Sequence, residues 1–113
     1  MLEDVPGIQL PLRKTDYCTN IYWVYPIVLK DSFQSDAVEI QSLLSEYGIG
    51  TRPFFWPIHK QNVFKKIGLF KEESHPVSER IAKKGFYIPS GMALKSEQQE
   101  YVVNALKAVL EDL

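Results

Sequence analysis

Cysteine is nearly absent. Cys18 stands alone among 113 residues, so neither a disulfide framework nor a zinc site of several thiolates can form within one chain. A reducing, cytoplasmic compartment is the expectation that follows. An excess of charge of one sign is also lacking. Thirteen Lys and Arg stand against fourteen Asp and Glu, a formal net charge of -1 with a pI near 6.1, and that balance argues against a binder of phosphate backbones. No nucleic-acid partner is expected. The longest apolar run, Ile21 to Leu29, holds Pro26 and falls far short of the roughly 20 residues that span a bilayer; no membrane partner is expected either. Met1 to Gly7 carries Glu3 and Asp4 where a signal peptide would be basic, and no apolar stretch follows, so secretion is not expected. The six glycines are scattered singly, which leaves no cluster before a helix to cradle a phosphate.

What remains is an ordinary globular composition, 45% hydrophobic and 24% charged. It predicts one compact domain, residues 1–113, and excludes a complete large enzyme. At this size roughly two thirds of the unfolded chain's surface can be buried, enough for a core without staples. The first twenty residues, with Pro6, Gly7, Pro11 and the run Arg13 to Asp16, show no periodicity and read as a lead-in. Ile21 to Leu29 is aromatic and β-branched and reads as a strand covered on both faces over part of its length. Pro26 must then sit at a bulge or turn its nitrogen away from a neighbour.

Ala37, Ile40, Leu44 and Tyr47 recur at helical spacing, with Ser35 placed to cap the start and Gly48 to end the helix. Ile49 to Phe55 reads as a second strand, and Asn62 to Ile67 as a short helical turn closed by Gly68. Pro76 suits the first position of a helix through Lys84, with Gly85 at its end and His75 as a surface cap. Phe86 to Ile88 is a third strand before the turn Pro89-Ser90-Gly91. Ser96 to Gln99 has the form of a capping box, and Val102, Leu106, Val109 and Leu113 define the buried stripe of the last helix. This order predicts an α+β two-layer sandwich, a small and mostly antiparallel sheet of three or four strands with helices packed on it.

Chemistry is sparse. A nucleophile needs an adjacent base and an orienting group, and Cys18, Ser90, His59 and His75 have no such local context. Ser90 lacks the pattern of a nucleophile elbow and reads as a turn residue. His59 and His75, sixteen positions apart with no helical carboxylate partner, make a poor metal site. No catalytic residue and no metal ligand is assigned. One segment stands out: Thr51-Arg52-Pro53-Phe54-Phe55-Trp56-Pro57-Ile58-His59 gathers two prolines, three aromatics, an arginine and a histidine. Rings and prolines lose little entropy on ordering and form a stiff wall, Arg52 offers a planar fork, and His59 exchanges protons. Composition alone leans to a plainer reading, a strand end whose aromatics cover the core and whose Arg52 pairs with a local acid.

Four blocks carry a resemblance. Gly7 to Pro11, Asn20 to Ile27, Gly48 to His59 and Phe86 to Gly91 resemble, in order, the C-terminal small domain of the DegT/DnrJ-type sugar aminotransferases, especially the perosamine synthetases. The resemblance implies the C-terminal domain of the aspartate aminotransferase fold type and an intact enzyme that uses pyridoxal phosphate. Such an enzyme moves an amino group from glutamate to a nucleotide-linked keto sugar. It also implies that the large domain bearing the Schiff-base lysine is absent here, so no cofactor is expected on this chain alone. On that resemblance Arg52 pairs with an anionic group, Phe54, Phe55 and Trp56 wall the sugar or base, and His59 bonds a sugar hydroxyl. The competing expectations are a stand-alone module that docks to a partner carrying the large domain or forms a homodimer, and a truncated product with no role of its own.

Overall fold

The computed structural model describes residues 1–113. Four strands, β1 (Ile8–Gln9), β2 (Tyr25–Leu29), β3 (Arg52–Pro53) and β4 (Gly85–Ile88), form one antiparallel sheet in the order β1-β2-β4-β3. Four helices accompany them: α1 (Ala37–Glu46), α2 (Asn62–Lys66), α3 (Pro76–Lys84) and α4 (Ser96–Glu111). The α+β sandwich expected from the pattern is the fold observed, with four strands in the sheet.

The period of two along a strand sorts the sheet's faces. Ile27, Leu29, Phe86 and Ile88 point into a core completed by Ala37, Ile40 and Leu44 of α1 and by Val102, Val103, Ala105, Leu106, Val109 and Leu110 of α4. Val28 and Tyr87 fall on the opposite face, both buried but outside that cluster.

Helix α1 ends in a Schellman motif. Gly48, at φ +70°, donates to Ser45 O, and Ile49 donates to Leu44 O. The paired apolar contact of that motif is Leu44 with Ile49, both in the core. The turn anchors Ile49 and sends the chain out along the sheet edge.

Several boundaries differ from the sequence reading. The strand expected over Ile21 to Leu29 begins only at Tyr25. Asn20 Oδ1 accepts the Tyr22 N–H at 2.8 Å, and Tyr22 adopts φ +51°, which breaks the extended chain and leaves Ile21 and Trp23 in solvent. Pro26 lies within β2, but β1 pairs only with Val28 and Leu29, so one flank at Pro26 has no neighbour to be deprived of a donor. The strand expected over Ile49 to Phe55 shrinks to Arg52–Pro53, because Pro53 and Pro57 supply no N–H and Ile49 turns inward. The lead-in is structural: Leu2 and Ile8 are core residues, and β1 pairs with β2, a two-residue strand too short to show a period.

Asp36 rather than Ser35 caps α1, accepting from the Val38 and Glu39 amides, a cap worth about 1 kcal/mol. The expected box at Ser96 to Gln99 is shifted by one. Lys95 is the cap residue and its N–H donates to Gln98 Oε1 at 2.9 Å. Leu113 is exposed, and Val103, Ala105 and Leu110 widen the buried stripe instead.

Candidate functional site

The segment Thr51–Lys60 crosses the face of the sheet opposite the core. Its entry is fixed by β3, where Arg52 pairs with Tyr87 and Pro53 with Phe86, and by the Phe54 N–H donating to Gly85 O. Gly85 permits this approach. A Cβ there would lie 2.5 Å from Ile81 O and 2.9 Å from Phe54 Cδ2, inside contact distance for both. Phe54 stacks on Tyr87 with ring centroids 5.0 Å apart and planes at 27°, and Phe55 meets the same ring edge-on at 5.8 Å. Tyr87 is the platform of the segment, and burial raises its phenol pKa, which keeps it neutral.

The five residues singled out from the sequence divide. Arg52, Phe55 and Trp56 face solvent, the last two at 66% and 57% exposure. Arg52 takes no part in the chain's ion pairs, so the local acid that composition allowed for it is not there. Phe54 is half-buried, stacked on Tyr87 and edge-on to Phe55. His59 lies at 6% exposure in a 3-10 turn, Ile58–Lys60. Beside Trp56 an open groove of about 600 Å³ is lined by Lys60, Gln61, Asn62, Val63 and Lys65, an indole with two ammonium groups and two carboxamides around it.

Glu79 is the partner of His59 that sequence reading missed. Its Oε1 accepts from His59 Nε2 at 2.8 Å and from the His75 backbone N–H at 3.1 Å, and its Oε2 pairs with Lys60 Nζ at 3.1 Å. The imidazole rings of His59 and His75 meet edge to face at 4.8 Å, and His75 Nε2 reaches Glu73 Oε2 at 3.0 Å. The hydrogen bond from His59, with those from His75 and Lys60, lowers the Glu79 carboxyl from its ordinary 4.5 to about 2. An acid in the first turn of a helix reads locally as a complement to the helix dipole, and nothing local marks it as the partner of a residue twenty positions earlier. Tyr87 did carry a signal, since alternation sets it on the face opposite Phe86 and Ile88.

A separate cavity of about 330 Å³ lies among Leu2, Tyr22, Tyr25, Ile88, Gln99 and Val103, with Tyr22 and Tyr25 stacked at 5.4 Å. Burial, then the neighbouring Tyr22 and Glu3, raise the Tyr25 pKa. None of the five predicted residues borders it. No group of three or more His, Cys, Asp or Glu is placed to hold a metal ion, and no helix is long and apolar enough to cross a membrane.

The arrangement defines an α+β domain that presents an aromatic and cationic wall, held by charge at one end and by ring stacking at the other. The chain belongs to the DegT/DnrJ/EryC1/StrS aminotransferase family, whose model matches residues 1–107. It is 41% identical over 69 residues to a pleiotropic regulatory protein of Geobacillus stearothermophilus, an alignment covering 60% of this chain and 18% of the relative. It is 26% identical to the GDP-perosamine synthase of Escherichia coli O157:H7, over 82% of this chain and 24% of the relative. Among solved structures it superposes on S. venezuelae DesV, a complex with a ketimine intermediate, with a TM-score of 0.80 and 25% identity over 99% of this chain and 29% of that one. The chain therefore spans less than a third of the length of each of these proteins.

Proposed function

We propose that residues 1–113 are the small C-terminal domain of a sugar aminotransferase, working against a large domain that lies outside these residues. The intact enzyme uses pyridoxal phosphate to move an amino group from glutamate to a nucleotide-linked keto sugar, in the cytoplasm, for polysaccharide biosynthesis. The observation that carries this reading is the solvent-facing wall. Arg52, free of ion pairs, and the outer faces of Phe55 and Trp56 are open to solvent, and Trp56 borders the Lys60–Lys65 groove, in a chain that matches the family along 1–107. Exposed aromatic surface of this kind marks a binding face.

The residues present do not fit pyridoxal phosphate by themselves. None of the ten lysines is buried; Lys60 is tied to Glu79, and Lys84 Nζ donates to the carbonyls of Phe33 and Ser35. The cofactor's Schiff-base lysine and its phosphate ligands belong to the large domain. Here Arg52 meets an anionic group of the substrate through its planar fork, Phe55 and Trp56 close over the sugar or base, Phe54 supports them, and His59, its ring buried and its Nε2 held by Glu79, has only Nδ1 left for a sugar hydroxyl. In the enzyme that contains this chain, Arg52→Ala and His59→Ala each raise KM for the sugar nucleotide, and unchanged kinetics for both would remove the segment from the site.

A second reading, a module that docks to a partner chain carrying the large domain or to a second copy of itself, is favoured by one observation. Leu12, Tyr17, Ile21 and Trp23 all project into solvent from the excursion between β1 and β2. Sedimentation of the isolated chain separates the readings, since concentration-dependent self-association supports the second and a monomer at high concentration weakens it.

A further inference from the structure

We propose that Glu79 is a positioning residue: by binding His59 and Lys60 at once, it fixes the wall-bearing segment Thr51–Lys60 on α3. The inference deepens the reading of that segment as a substrate wall and rests on it. Past Phe54, residues 55–60 make no backbone hydrogen bond to the sheet. Pro53 and Pro57 have no N–H, and the amides of Lys60 and Gln61 are used within the 3-10 turn, donating to Pro57 O and Ile58 O. Order at this end therefore depends on side chains.

Glu79 is suited to the task because its own position is fixed. It stands one turn into α3, its N–H donates to His75 O, and its Oε1 takes the His75 N–H in return. Both carboxylate oxygens are then engaged with the segment, Oε1 with His59 and Oε2 with Lys60. An ionised carboxylate only accepts, so His59 donates through Nε2–H, and Nδ1 is the ring nitrogen left outside the clamp. Nearly all of the His59 ring is buried. Glu79 thus acts on a ligand only through the placement of Trp56, Lys60 and the His59 ring.

The test uses the 113-residue chain with GDP-mannose as a stable sugar-nucleotide probe. Nitrogen-15 spectra of the histidines at neutral pH should show a slowly exchanging Nε2–H on His59. In Glu79→Gln that exchange should quicken about tenfold, the scale of one charge-assisted hydrogen bond. Amide shifts should move over Trp56 to Lys60 while those of β2 and β4 stay. Glu79→Asp, which keeps the charge on a shorter stem, should recover part of the protection, and Lys60→Met should free the segment partially. GDP-mannose should perturb residues 52–60 of the wild type and bind Glu79→Gln about tenfold more weakly. An unchanged His59 N–H in Glu79→Gln, measurable binding of equal strength by wild type and Glu79→Gln, or global unfolding of both Glu79→Gln and Lys60→Met would each overturn the proposal. If the segment loosens as expected but the wild type ignores the probe, the clamp stands and it is the sugar-nucleotide reading that fails.

Discussion

The two faces of one four-stranded sheet are built on different principles. On one, Ile27, Leu29, Phe86 and Ile88 meet α1 and α4 in a cluster of sixteen buried apolar residues. On the other, Tyr87 is covered by a single layer, Phe54 and Phe55, whose outer side is wet. The first face holds itself together by area removed from water and by close packing, which no single contact dominates. The second is held by a few specific contacts, a ring stack at Tyr87 and a carboxylate at Glu79, and its outer residues spend apolar surface in solvent. A face assembled in that way contributes less to stability and keeps its side chains available to something else.

The contrast can be broken at graded points. Phe86 is fully buried, and Phe86→Ala should cost about 3–5 kcal/mol in urea denaturation, as large core truncations do. A loss under 1 kcal/mol would mean that the core face is not the stabilising one. Gly85→Ala places a Cβ against Ile81 O and Phe54 and should cost roughly 1–3 kcal/mol, as overpacking does, with loss of near-ultraviolet dichroism from the displaced Phe54–Tyr87 stack. Preserved dichroism would show that the stack does not depend on this approach.

The Glu79 carboxyl is lowered from 4.5 to about 2, chiefly by the hydrogen bond from His59. A depressed folded pKa contributes stability that is present above the unfolded value and is lost as pH falls towards the folded one. Glu79→Gln should therefore be less stable than wild type at pH 6, and the two should converge by pH 2; a gap constant with pH would place the effect elsewhere. Trp56→Ala, at an exposed position, should change stability by less than about 0.5 kcal/mol while abolishing any fluorescence response of the segment to a sugar nucleotide.

Much of the core face was legible in advance. Ala37, Ile40 and Leu44, and Val102, Leu106 and Val109, share helical faces because the helical repeat brings them together whatever else the chain does. Phe86 to Ile88 read as a strand for a similarly local reason. The second face was legible only in outline. The segment Thr51 to His59 stood out by composition, yet its division into outward Arg52, Phe55 and Trp56 and inward Phe54 and His59 had no local cause. The strand boundaries at Ile21 and Phe55 failed where an Asx turn at Asn20 and the prolines overrode composition. Strand β1 escaped because two residues cannot display a period of two.

The sequence by itself determined the element order from β2 onward, the helix faces, the α+β class and membership of the aminotransferase family, because periodicity and motif order are properties of the chain alone. Tertiary structure alone decided that Glu79 reaches back to His59 and Lys60, that Tyr87 becomes a platform, and that Trp56 is left to solvent. These depend on which surfaces meet once the sheet has formed, and a carboxylate twenty residues from its partner carries no local mark of the pairing.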